Sequence, residues 1–151
     1  MVLVSPSFKS GERIPSVHTC DGKDTSPALQ WSDPPPETKS FALISDDPDA
    51  PSGNWVHWVA WNIPAEARAL AENLPKKGTL PDGTRQGTND FGRIGYGGPC
   101  PPSGTHRYYF RFYALDVTLE LPEATRKAQL EKAMKAHILV EAELMGKYHR
   151  G

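Results

Sequence analysis

Short runs of β-branched and aromatic residues, punctuated by proline and glycine, set the rhythm of this chain. Such runs at 28–31, 40–45, 55–62 and 106–116 predict strands, and their spacing predicts a mostly β domain with many turns. Within 106–116 the alternation is regular. His106, Tyr108, Phe110 and Phe112 are expected on one face, and Arg107, Tyr109, Arg111 and Tyr113 on the other. By the same rule His57 falls on the face of Trp55, Val59 and Trp61. The pattern changes towards the C-terminus. Leu130, Ala133, Met134 and His137 recur at helical spacing and predict one amphipathic helix over 125–136. Beyond it Ile138, Val140, Ala142, Leu144, Gly146 and Tyr148 alternate with Glu141, Glu143, Lys147 and His149, which predicts a final strand. The passage 74–104 is rich in Gly, Pro, Asn and Asp and has little periodicity. A stretch of that length in a compact domain is functional or holds short strands of its own.

The chain has 151 residues, enough for one domain with a proper core. A formal net charge of −1 gives no general field for nucleic acid or anionic lipid, although a local cluster could still hold a small anion. No apolar stretch approaches the roughly 20 residues that span a bilayer, and no secretory signal is visible at Met1–Pro6. A cytoplasmic protein without integral membrane association is therefore expected. Cys20 and Cys100 are too few for a disulfide scaffold and are expected as reduced thiols. The alternative is one long-range bridge, favoured in an oxidising compartment or a hyperthermophile.

Chemistry concentrates in two segments. In the first, Asp46-Asp47-Pro48-Asp49-Ala50-Pro51 stands between two apolar runs and is followed by Trp55-Val56-His57-Trp58. In the second, Gly98-Pro99-Cys100-Pro101-Pro102-Ser103-Gly104-Thr105 leads into His106-Arg107-Tyr108. Each sets a proline bend before a histidine in an aromatic strand, so stiff loops expose polar groups held by rigid elements. Ala50–Pro51 is the candidate for a cis bond. A histidine among tryptophans needs a partner, and Asp47 is the expected partner of His57, leaving one ring nitrogen for a ligand. His106 and Tyr108 would line the same pocket, with backbone donors at Gly104 and Thr105. Arg107, on the opposite face, is expected to tie to Asp49 and lock the segments together. Two imidazoles, a phenol and nearby amides suit an oxyanion such as phosphate or carboxylate.

Bland readings exist for each piece: a capped turn for Asp-Pro-Asp, a satisfied core histidine for His57, a strand end for Tyr148. His18, His137 and His149 are expected as structural or surface residues. Walker A, H-E-x-x-H and G-x-S-x-G patterns are absent, and Gly95-Tyr96-Gly97-Gly98 fails the dinucleotide pattern because Cys100 stands where the third glycine belongs. An Asp47–His57 base pair in a hydrolase or phosphotransferase is the alternative function, though no nucleophile is apparent. A zinc or manganese site at Asp47, Asp49, His57 and His106 is a further one.

Taken together, the two segments resemble the phosphatidylethanolamine-binding protein family, which includes the Raf kinase inhibitor proteins. Thr19-Cys20-Asp21-Gly22, Ser26-Pro27 and Leu144-Met145-Gly146-Lys147-Tyr148 look like its shorter bacterial and archaeal branch, so the likeness runs over about 5–150. The resemblance implies an antiparallel Greek-key β-sandwich with a small pocket near one end; no cofactor and no enzymatic activity are expected. It implies a phosphate-like ligand held by Asp47, His57, Pro102, His106 and Tyr108; from the residues themselves a carboxylate is a further candidate ligand, and Asp49, Pro51, Gly104 and Arg107 are expected to support the site. It also implies a homodimer, and a protein partner regulated through the ligand. The longer C-terminal region that shapes the pocket mouth of eukaryotic members has no counterpart here. Kinase or protease regulation therefore carries over poorly, and so does lipid binding, since the sequence shows no membrane-anchoring surface.

Overall fold

The computed structural model describes residues 1–150. Eight strands form two antiparallel sheets. The smaller has the order β1 (Val2–Val4), β2 (Leu29–Ser32), β5 (Ala69–Leu70). The larger has the order β6 (Arg85–Gln86), β4 (Trp55–Pro64), β3 (Ser40–Asp47), β7 (His106–Leu115), β8 (Ile138–Tyr148). The chain runs from β3 through β4 to β6 and then returns as β7 to lie beside β3, which is the Greek-key order. The expected mostly β sandwich of antiparallel sheets is the observed one.

β3 is buried along its whole length because both faces of the large sheet are covered. Phe41 and Leu43 point to the core between the sheets, where they meet Trp31, Phe110 and Phe112. Ala42 and Ile44 point the other way, against Trp61, Leu119, Leu130 and Met134. That second layer includes α1 (Lys127–Met134), shorter than the helix expected over 125–136. Its start is set by Gln129, whose Oε1 accepts the Arg126 backbone N–H at 2.9 Å. Among the described residues no helix is long and apolar enough to cross a membrane.

The long passage 74–104 is organised by side chains more than by ladders. Gln86 Nε2 donates to the carbonyls of Pro75 and Lys77, while its Oε1 accepts from Trp58 Nε1. Asn89 Nδ2 donates to Gly95, and Asn89 Oδ1 accepts from the Phe91 and Arg93 amides. These buried amides satisfy a backbone that β6 alone cannot pair. Two sequence expectations are corrected. Cys20 and Cys100 form a disulfide, not a pair of free thiols. Ala50–Pro51 is trans, as is every peptide bond among the described residues.

Candidate functional site

Four strand ends meet at one end of the large sheet: Asp47 closes β3, Trp55 opens β4, His106 opens β7 and Tyr148 closes β8. Alternation along β3 sends Asp47 to the face of Phe41 and Leu43, while Asp46 emerges on the opposite face. There Asp46 accepts from Arg111 Nε at 3.1 Å and Asn54 Nδ2 at 3.1 Å, and pairs with Lys127 at 3.2 Å. The adjacent carboxylates thus serve different faces. On β7, His106, Tyr108, Phe110 and Phe112 share the inner face as expected.

β4 breaks its own alternation at the site. Val56 pairs with Asp46 and Trp58 with Ser45, so His57 is the extra residue of a β-bulge. The bulge turns His57 away from the Val59 and Trp61 face and brings its ring against Tyr108, with centroids 5.2 Å apart in a T-shaped contact. The face assigned to His57 by simple alternation is thereby overturned. Its expected partner changes too. His57 Nδ1 lies 2.6 Å from the Gly97 carbonyl oxygen, and Asp47 instead faces His106, with Oδ2 2.7 Å from Nδ1. The other Asp47 oxygen accepts the Asp49 amide at 2.7 Å, which holds the carboxylate in place.

The resulting cavity encloses about 270 Å³. Asp47, His57, His106 and Tyr108 form its polar end. Trp55, Phe91, Pro51, Pro101 and Pro102 supply much of its apolar wall. The structure therefore brings together all five residues expected to line a pocket, and Pro51 joins them. Gly104 and Thr105 are exposed and outside the lining, so their amides are not its donors; Gly104, at φ +69°, serves the turn into β7. Asp49 and Arg107 form the expected tie. The guanidinium donates from Nη2 at 2.8 Å and Nε at 2.9 Å, and the Arg107 amide adds a third bond at 2.9 Å. These bonds hold the Asp49 carboxyl at about 2, well below the usual carboxylate range.

Burial dominates the electrostatics of the polar end. His57 is 3 % exposed, and removal from water holds its imidazole below its ordinary value despite the neighbouring Gly97 carbonyl and Asp47. Tyr108 is 1 % exposed; burial, then Asp47 and Asp49, push its phenol well above the ordinary range. Its hydroxyl has no hydrogen-bond partner among the described residues. A buried donor left unmade costs free energy, and Trp31 Nε1, Trp61 Nε1 and Thr84 Oγ1 share that state away from the pocket. The four proposed metal ligands do not converge: no group of three or more metal-binding side chains occurs among the described residues. Asp49 is turned to Arg107 instead.

The sequence reading did not assign a role to Phe91, Gly97 or Cys100. Phe91 packs edge-on against both His57 and Trp55, at 5.4 and 5.5 Å. An aromatic residue in an Asn-Asp-Phe-Gly turn was the available signal. Gly97 acts through its carbonyl, for which composition carries no signal. Tyr148 lies off the pocket and donates to Asp21 Oδ2 at 2.6 Å. His18 is structural as expected, sitting between the Ser7 hydroxyl and the Thr25 carbonyl.

The model of the phosphatidylethanolamine-binding protein family matches residues 4–149. This chain belongs to that family. Among its relatives is a "UPF0098 protein" of Methanothermobacter thermautotrophicus, 54 % identical and aligned over 100 % of both chains. Another, from Aquifex aeolicus, is 52 % identical over 99 % of this chain and 89 % of the relative. A crystal structure of a putative phosphatidylethanolamine-binding protein homolog from Chlamydia trachomatis matches with a TM-score of 0.92 and 43 % identity, over 99 % of this chain and 97 % of that one. E. coli YbcL, described as "a new member of the mammalian PEBP family", gives 0.92 at 38 % identity, over 99 % of this chain and 98 % of that one. The polar cluster of this chain lies at the end of the large sheet, where β3, β4 and β7 present it.

Proposed function

We propose that this protein binds a small oxyanion, a phosphoryl or carboxylate group, in the pocket formed by Asp47, His57, Pro102, His106 and Tyr108. The observation that carries the reading is the Tyr108 hydroxyl, buried at the polar end without a partner. An anion oxygen would accept from it. His106 adds a second donor, because Asp47 takes Nδ1–H and a protonated ring offers Nε2–H to the cavity. The apolar wall suits whatever carbon skeleton carries the anion, and such a mixture of few polar groups and many apolar ones is common in ligand pockets.

The geometry favours binding over catalysis. Asp47 has both oxygens engaged and orients His106, so it is not free to act as a base with His57. Ser52 is the lining's one aliphatic hydroxyl and makes no hydrogen bond to a histidine or carboxylate among the described residues, and Cys100 is bridged. Regulation of a protein partner through the ligand is the wider role this reading allows. Calorimetric titration of inorganic phosphate and phosphorylethanolamine into the protein tests it. Heat of binding is expected for the wild type, with a loss of about tenfold or more in affinity for His106→Ala. Equal affinity in the two proteins would count against the reading.

A further inference from the structure

The outer face of the large sheet carries a second recess, on the opposite side of β7 from His106 and Tyr108. A groove of about 520 Å³ lies between α1 and β8, with Tyr113, Met134 and Ile138 as its apolar floor. Tyr113 is 8 % exposed, yet its hydroxyl has no hydrogen-bond partner among the described residues. Glu131 and Glu141 line the same groove from exposed positions. Glu143 is bonded to Arg111 at 3.2 Å, whereas Glu131 and Glu141 make no side-chain hydrogen bond or ion pair among the described residues. Burial, then Glu141, push the Tyr113 phenol up to about 12; Glu131 and Asp46 add to the effect and Arg111 opposes it. Arg111 and Asp46 are bonded to each other at 3.1 Å, so two carboxylates remain uncompensated beside the phenol. Lys132 and Lys135 also line the groove, on exposed positions, and are not among the charges that act on it. Three oxygens over an apolar floor match the three donors and the alkyl stem of a lysine side chain.

The backbone beside the groove is unpaired as well. β8 is an edge of the large sheet, and only its last residues are covered on the side away from β7. There the Met145 carbonyl accepts from the Gly11 amide at 2.7 Å, the Lys147 amide donates to the Glu12 carbonyl at 2.9 Å, and the Lys147 carbonyl accepts from Ile14 at 2.8 Å. The ladder with β7 is unbroken from the His106–Tyr148 pair to the Ala114–Val140 pair, so the period of two turns the amides and carbonyls of Glu143 and Glu141 outward too. They meet no backbone partner among the described residues. Glu141 stands directly opposite Tyr113 across the β7–β8 ladder. A residue placed beside Glu141 on an added strand would therefore share its face and reach the groove.

We propose that this groove is a docking site for a partner protein, which adds an extended segment to the edge of β8 and sets a lysine against Tyr113, Glu131 and Glu141. Backbone pairing with Glu141 and Glu143 supplies the register, and the lysine supplies the selectivity. A free polyamine is disfavoured, because its further ammonium groups would meet Lys132 and Lys135. A second copy of the chain is disfavoured too. Antiparallel edge pairing would set Glu141 and Glu143 against the same residues of the other copy, and like charges directly opposite are destabilising.

The test follows the backbone amides of the full nitrogen-15-labelled chain by nuclear magnetic resonance. The probe is a capped heptapeptide of alternating threonine and valine with lysine at its centre. Its controls are the same peptide with norleucine at the centre, which keeps the stem and loses the charge, and 1,4-diaminobutane. Saturable shifts and slowed solvent exchange at the Glu141 and Glu143 amides are expected with the lysine peptide. Affinity is expected to fall about fivefold or more for the norleucine peptide, and for Glu141→Gln and Tyr113→Phe with the lysine peptide. Glu141 is exposed, so its variant keeps the fold. Edge amides unmoved by the lysine peptide, or equal affinity for the norleucine peptide, overturn the inference. Tighter binding of 1,4-diaminobutane than of the peptide at the groove overturns it in favour of a free amine. Concentration-dependent shifts of the same amides without any probe overturn it in favour of a second copy.

Discussion

At the scale of single residues, the site is built from groups whose second hydrogen-bonding position is left open by the first. Asp47 directs His106, the Gly97 carbonyl directs His57, and Tyr108 is directed by packing alone. This gives Tyr108→Phe an unusual expected signature. Removing an unpaired buried hydroxyl should leave the thermal midpoint unchanged or slightly raised, while phosphate affinity falls by roughly fivefold to tenfold. A structural tyrosine would show the reverse, so differential scanning calorimetry beside a binding titration separates the two. Asp47→Asn should weaken phosphate binding as well, because an amide oxygen is a weaker acceptor for the His106 Nδ1–H that sets the ring's orientation. Most of these residues were legible in the sequence, as polar groups after proline bends. Their pairings were not, because an Asp near two histidines does not say which one it faces.

At the scale of elements, the decisive device is the bulge at His57. Alternation correctly places Asp47, His106 and Tyr108, since β3 and β7 run in unbroken register through the site. It misplaces His57 because a bulge depends on the partner strand, and a one-residue shift moves a side chain to the other face. The short strands β1, β5 and β6 escaped for a related reason: two or three residues carry no periodicity, and only their neighbours make them strands. The loops at the pocket are held in two different ways. The Asp49–Arg107 tie is exposed, so Arg107→Ala is expected to cost less than about 1 kcal/mol by chemical denaturation. Gly98 has no such slack. A Cβ there would run into the backbone carbonyl of His18 and the carboxylate of Asp24, which already accepts the Gly98 amide at 2.8 Å. Gly98→Ala is expected to destabilise by about 1–3 kcal/mol, and to weaken phosphate binding by moving the Gly97 carbonyl.

At the scale of the whole molecule, two long-range constraints shape stability. The Cys20–Cys100 bridge closes a separation of 80 residues, joining the 19–22 turn to the pocket rim. A loop of that length predicts roughly 4 kcal/mol of stabilisation in the chain-entropy account, so reduction should lower the thermal midpoint markedly. Sequence could not reveal this bridge, since nothing local brings residues so distant together. The second constraint is acid sensitivity. Burial lowers the folded-state value of His57, so unfolding takes up a proton once pH falls below the ordinary imidazole value of about 6.5. Stability should be full above that value and decline as pH falls towards the lowered folded value. A His57→Gln variant should lose that part of the slope in pH-dependent melting. The Greek-key order, by contrast, was within reach of the sequence through the family resemblance, and the paired sheets bear it out.

The central claim is that a phosphoryl-type anion enters at the end of the large sheet, between His57 and His106. The chain has five histidines, and only these two line the pocket. Adding inorganic phosphate while following all five ring resonances by nuclear magnetic resonance tests the claim most directly. Saturable shifts at His57 and His106, with His18, His137 and His149 unmoved, are the expected result. Saturable shifts at His137 or His149 alone, or no shift at any ring, would contradict the account.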